Sequence, residues 1–227
     1  MAAKLKICGL MRAADVALCC GLGVEVLGFV TEYPLPVPWN LGREEVRVLL
    51  AGARPPAKTC LVTGGTVDQV AGLAVDLRPG YVHLHYKETL ADTAEIAAAL
   101  TPYGIGVIQT IPPDPAVRLA RLGTEDPARW ARRLEGAGVA ALLVDSRTPD
   151  NALGIGRAAD LSLYRRVREA ARGPVILAGG VTPENCGAVL KAAGPDWLDV
   201  MTGVETAPGR KDPEKLKALT AAVRAEK

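Results

Sequence analysis

The chain has 227 residues, with 27 Lys and Arg against 25 Asp and Glu and 49% hydrophobic residues. A net charge of +2 without a basic run argues against the positive face nucleic acid requires, and 4% aromatics leave few base-stacking surfaces. No apolar run is long enough to cross a bilayer, no signal core opens the chain, and five irregularly spaced cysteines make no disulfide framework, so a cytoplasmic protein without nucleic-acid or membrane partners is expected.

Short apolar or β-branched runs alternate with amphipathic stretches from end to end. Strands are predicted at 4–9, 24–31, 58–63, 81–86, 104–110, 140–145, 174–178 and 197–201. Helical patterns lie between and after them, at 13–22, 43–52, 66–76, 89–100, 126–136, 160–171, 184–193 and 213–225. The runs "AALLVD" and "PVILAG" are continuously apolar, as strands covered on both faces are. Asp126-Pro127, Thr182-Pro183-Glu184 and Asp212-Pro213 each place a capping residue before a proline, a helix-start signal. Eight strand-helix units without a compositional break predict an α/β fold, a single (β/α)8 TIM barrel spanning 1–227. A doubly wound sheet would be expected to show a glycine-rich turn after its first strand, and "CGLMRAAD" matches that poorly.

In this fold the chemistry sits on the loops after the strands. The predicted strand ends carry Cys8, Glu32, Thr63, His85, Gln109, Asp145, Gly179-Gly180 and Thr202-Gly203. Cys8 and Asp145 thus come to the same rim, where a thiol and a carboxylate form a base and acid pair. The bland alternatives are a buried packing thiol and a carboxylate that caps its loop or pairs with Arg147. The other cysteines, Cys19, Cys20, Cys60 and Cys186, read as packing. The last two strand ends finish in glycines before possible helix starts, a pattern suited to phosphate. Gly154 and Gly156 add to that side, and Arg157 either touches the phosphate or is solvated. His83 and His85 share one strand face, but with no third ligand evident no metal is expected, and His85 reads as a hydrogen-bonding pocket residue. Lys6 alternates onto the same side as Cys8, where an ammonium would favour a thiolate.

The segments "KICGL", "LLVDSRTP", "LAGGVTPEN" and "DVMTGVETAPGRKD" occur in an order and spacing that resembles the phosphoribosylanthranilate isomerase family of tryptophan biosynthesis, over essentially the whole chain. The resemblance implies a cofactor-free Amadori rearrangement of a phosphorylated sugar substrate by a monomer or homodimer. It implies Cys8 as general base and Asp145 as general acid. The phosphate would lie on Gly154, Gly156, Gly179, Gly180, Thr202 and Gly203. Lys6, Glu32, Trp39, His85, Gln109 and Asp199 complete the expected substrate contacts, Asp199 either at the mouth or in support.

The chain departs from the family pattern at the ring-binding end. Val37, Pro38 and Trp39 stand where the family carries an arginine for the anthranilate carboxylate, and Arg43 falls in the next helix. "HLHYKE" replaces the family's "QLHG", Ala152-Leu153 replaces a glycine pair, and the stretch after the fifth strand is long. Three readings stay open: the family's own reaction, the same reaction on another aminated sugar phosphate, and a non-catalytic phosphate-ligand barrel.

Overall fold

A computed structural model describes residues 3–146 and 158–225. Eight parallel strands close into a barrel in chain order: β1 (Lys4–Ile7), β2 (Val26–Val30), β3 (Lys58–Thr63), β4 (Tyr81–Leu84), β5 (Gly106–Ile111), β6 (Ala141–Val144), β7 (Val175–Ala178) and β8 (Trp197–Val200). Around them run α1 (Ala13–Gly21), α2 (Arg43–Ala51), α3 (Val67–Leu77), α4 (Leu90–Leu100), α5 (Pro115–Leu122), α6 (Pro127–Gly136), α7 (Leu161–Ala170), α8 (Cys186–Ala193) and α9 (Pro213–Ala225). A small hairpin, β9 (Glu205–Ala207) with β10 (Arg210–Lys211), separates β8 from α9.

Strand alternation divides the core in two. Val26, Cys60, Ile108, Ala141, Leu143, Ile176, Ala178 and Trp197 fill the barrel interior as one buried cluster. Their neighbours Leu27, Leu61, Leu142, Leu177 and Leu198 point the other way and join the layer beneath the helices. Every residue of β6 and β7 is buried, which is why those segments read as unbroken apolar runs. The barrel closes where β1 pairs with β8, with Lys6 opposite Asp199 and Ile7 opposite Val200.

The predicted strands are all present, though several end one or two residues early. Cys8, His85 and Asp145 therefore sit just past the last ladder residues of β1, β4 and β6. Asp126 and Asp212 cap their helices as expected, accepting bonds from Ala128 N and from Glu214 N and Lys215 N. The expected helix start at 184 shifts to Cys186, because Asn185 Oδ1 takes the Thr182 N–H at 2.8 Å and closes a turn instead. The long stretch after β5 holds an additional helix, α5, started by the same signal at Asp114-Pro115, with Asp114 Oδ1 accepting from Ala116 N.

The turn after β7 and the short 3-10 turn Thr202–Val204 after β8 are in backbone contact. A Cβ on Gly203 would fall 1.8 Å from the carbonyl oxygen of Val181. Gly203→Ala is expected to push these turns apart and cost about 1–3 kcal/mol, as overpacking does. Urea unfolding of the variant against the parent measures it.

Candidate active site

One cleft opens at the rim where strands end, lined by Cys8, Val30, Tyr33, Val37, Trp39, Val62, His83, His85, Asp145, Asp199 and Met201. Cys8 arrives from β1, only 5% exposed, with its backbone N–H extending the β1–β8 ladder to Val200 O at 2.9 Å. Gly28 of β2 lies against it, since a Cβ there would sit 3.0 Å from both Cys8 Cα and Sγ. Gly9 then turns the chain with φ +68, a left-handed conformation that glycine adopts without strain. Asp145 arrives from β6, 3% exposed, and its Oδ2 lies 3.1 Å from His85 Nε2.

The cleft has two chemical sides. Cys8 sits in a cluster with Val30, Tyr33, Trp39, Val62 and Met201, an apolar wall. His83, His85, Asp145 and Asp199 supply the polar side. His83 Nε2 lies 2.8 Å from Thr110 Oγ1, and the two histidine rings meet edge-on with centroids 5.3 Å apart. Among the described residues no group of three or more His, Cys, Asp and Glu side chains is arranged to hold a metal.

Beneath the cleft, Lys6 Nζ lies 2.5 Å from Asp199 Oδ2. Lys6 is fully buried, and Asp199 Oδ1, also buried, makes no hydrogen bond to another described residue. Burial alone would lower the Lys6 pKa, but Asp199, with Cys8 and Cys60 nearby, carries it above the ordinary lysine value. The pairing with Asp199 thus favours the charged form of Lys6. Cys60 lies in the interior, where burial pushes its thiol up to about 12 despite Lys6. Cys19 rises to about 12 for the same reason. Of the described cysteines, Cys8 alone lines the cleft.

Three expected substrate contacts are placed elsewhere. Gln109 is mid-strand and faces outward, accepting from Thr93 Oγ1 of α4 at 3.0 Å and donating to Leu84 O at 3.4 Å. The expectation counted from a strand end at 110, and β5 runs to Ile111. Glu32 has φ 45, which turns its exposed side chain to Arg43 Nε and Nη2 at 2.8 and 2.9 Å. That hydrogen-bonded guanidinium holds its carboxyl below the usual glutamate value. Lys6 is on the expected side but fully covered, so it acts from below the cleft. Trp39, His85 and Asp199 do line it.

Gly179, Gly180, Thr202 and Gly203 are half-buried neighbours through the Gly203–Val181 contact, whereas Gly154, Gly156, Arg147 and Arg157 lie outside the described residues. Met201 was missed, although it follows Asp199 at strand spacing. Glu205 and Lys211, which lie behind Trp39, carried no periodic signal at all.

A closed parallel barrel with a rim thiol and a rim carboxylate facing one cleft has the architecture of a (β/α)8 enzyme of acid-base chemistry. The chain belongs to the N-(5'-phosphoribosyl)anthranilate isomerase family, whose model matches residues 5–222. The N-(5'-phosphoribosyl)anthranilate isomerase of Haloferax volcanii is 32% identical over 222 residues, covering 97% of this chain and 93% of its own. The crystal structure of phosphoribosyl anthranilate isomerase from Thermus thermophilus superposes with a TM-score of 0.79 at 29% identity, covering 99% of this chain and 100% of that one. A phosphoribosyl anthranilate isomerase in complex with reduced 1-(o-carboxyphenylamino)-1-deoxyribulose 5-phosphate shares the fold, with a TM-score of 0.77 at 22% identity and coverage of 98% and 99%.

Lys6→Met strands Asp199 as a buried unpaired charge, so a loss of about 3–5 kcal/mol is expected. Lys6→Met with Asp199→Leu removes both charges and should recover most of it. Urea denaturation of both variants distinguishes the pair's necessity from its net contribution.

Proposed function

We propose that the chain isomerises N-(5'-phosphoribosyl)anthranilate to the 1-deoxyribulose 5-phosphate product, using its own side chains and no cofactor. The observation that carries this reading is the delivery of Cys8 and Asp145, from β1 and β6, into one cleft. Asp145 donates a proton to the furanose ring oxygen as the bond from that oxygen to C1' breaks, leaving an iminium. The Cys8 thiolate then takes the proton from C2', giving an enolamine that tautomerises to the ketone. An unperturbed thiol is mostly protonated at neutral pH. The Lys6 ammonium, two residues earlier on the same strand, interacts electrostatically with Cys8.

His85 Nε2 faces the acid's Oδ2 at 3.1 Å, so the histidine orients the carboxyl in the cleft. The glycine-ended turns after β7 and β8 offer backbone N–H groups for the phosphate, a substrate part that does not react. Asp199, with one buried oxygen lacking a hydrogen bond, offers an acceptor for a sugar hydroxyl or the amine.

A second reading keeps the reaction and changes the amine substituent. Val37 and Trp39 favour it, because both line the cleft where the family carries its arginine. A purely ligand-binding barrel accounts poorly for an acid and a base brought to the same cleft.

Turnover of N-(5'-phosphoribosyl)anthranilate, followed as loss of its fluorescence, tests the assignment. Cys8→Ala and Asp145→Asn are each expected to lower kcat about 10²- to 10⁴-fold, the range of a lost general base or acid. Both should still bind the reduced product analogue within about threefold of the parent, since the change is confined to proton transfer. A parent protein that binds the analogue and does not turn over the substrate refutes the assignment.

A further inference from the structure

The loop between β2 and α2 is held in a defined shape. Thr31 Oγ1 donates to Leu41 O at 3.0 Å, and Asn40 clasps Tyr33 with two bonds of 2.9 Å, one in each direction. Tyr33 Oη donates across the mouth to His85 O at 2.8 Å. Trp39, near the end of this loop, is 3% exposed. Its ring lies over Gly9, where a Cβ would fall 3.0 Å from Trp39 Cδ1 and 2.6 Å from Met201 Cε.

The indole nitrogen is held from behind. Trp39 Nε1 donates to Glu205 Oε1 and Oε2 at 3.1 and 3.3 Å. Glu205 Oε1 also accepts from Lys211 Nζ at 2.7 Å and from Gly209 N at 3.2 Å. Lys211 Nζ donates further to Met201 O at 3.2 Å, and the Lys211 N–H donates to Asp15 Oδ2 at the same distance. Glu205 and Lys211 are both buried, so the indole N–H bond is charge-assisted and shielded from water. A hydrogen bond at the ring's nitrogen edge leaves its apolar body to the cleft, beside Cys8, Val30 and Met201.

We propose that Trp39 is a specificity-determining residue that accepts a planar aromatic amine substituent by ring contact, and that Glu205 and Lys211 are positioning residues that fix its ring. This rests on the isomerase reading above and deepens it, naming the side chains of this chain that select the amine substituent. The sugar lies on the polar side with His85, Asp145 and Asp199. The substituent lies on the apolar wall, where ring-on-ring contact adds to simple burial.

The test uses two reduced 1-amino-1-deoxyribulose 5-phosphates, one N-phenyl and one N-cyclohexyl, with dissociation constants from calorimetry. The parent should bind the phenyl probe about fivefold to tenfold tighter, the value of one aromatic contact. Trp39→Leu should abolish that preference. Glu205→Gln with Lys211→Met, which removes the buried Glu205–Lys211 pair as a unit, should reduce it about threefold or more while cyclohexyl binding stays within about twofold. Trp39→Phe keeps a ring and the Glu205–Lys211 pair but loses the indole N–H, and should behave like the double variant. Equal binding of the two probes by the parent, survival of the preference in Trp39→Leu, or equal weakening of both probes in the double variant each overturns the proposal. Failure of the parent to bind either probe overturns the phosphoribosylamine reading and this proposal together.

Discussion

The buried pair between Lys6 and Asp199 spans the seam where the first strand meets the last. The two residues are opposite each other in the β1–β8 register and lie 2.5 Å apart at their charged ends. A one-residue slip at this seam would turn Lys6 out of the barrel, because strand side chains alternate. A two-residue slip would keep both side chains inside and separate them. Either slip leaves buried charge without its partner, which is far more costly than the pair itself is stabilising. The pair is thus best understood as a register lock. Cys8 and Met201 each lie two residues beyond their member of the pair, so their inward direction at the rim follows from it.

The chemistry of the cleft depends on that lock. Under the proposed reaction Cys8 works as a base, and the buried Lys6 ammonium, two residues earlier on the same strand, interacts electrostatically with it. Cys60 shares the fully buried interior with Lys6, and burial pushes its thiol up to about 12. Access to the cleft therefore separates a cysteine that lines it from one packed in the interior, although the residue type is the same. The two carboxylates are held differently. Asp145 has His85 as its partner at the rim, while Asp199 is paired with the buried Lys6.

Much of this was legible before any coordinates. Continuous apolar runs marked β6 and β7, and helix-start signals at Asp126 and Asp212 bounded α6 and α9. Cys8, His85 and Asp145 were found because barrel chemistry gathers just after strand ends, and a shift of one or two residues does not move them off the rim. Gln109 was misplaced because it lies inside β5 between the inward-facing Ile108 and Thr110, so alternation turns it outward to Thr93. Glu32 could not be read correctly because its direction depends on a positive φ at a non-glycine residue. Glu205 and Lys211 were invisible for another reason: their role arises from a short hairpin that meets Trp39 across 166 residues of sequence. No local periodicity encodes a contact of that separation.

The division of the mouth explains how this family member departs from the family's pattern at one end only. The apolar wall is built by β1, the loop after β2, β3 and Met201, and the polar side draws on β4, β6 and β8. Under the proposed reaction the base stands on the apolar wall and the acid on the polar side, so the bonds that change lie between them. In that arrangement the amine substituent would project toward the β2 loop and the phosphate toward the turns after β7 and β8. Changes at Val37, Pro38 and Trp39 thus alter what the substituent meets while the register at the β1–β8 seam stays as it was. Under the proposed role of Trp39, a packed, hydrogen-bonded indole in place of a guanidinium would change recognition from charge pairing to contact area. That exchange is structurally permitted because Glu205 and Lys211, outside the cleft, satisfy the one polar atom the indole brings with it.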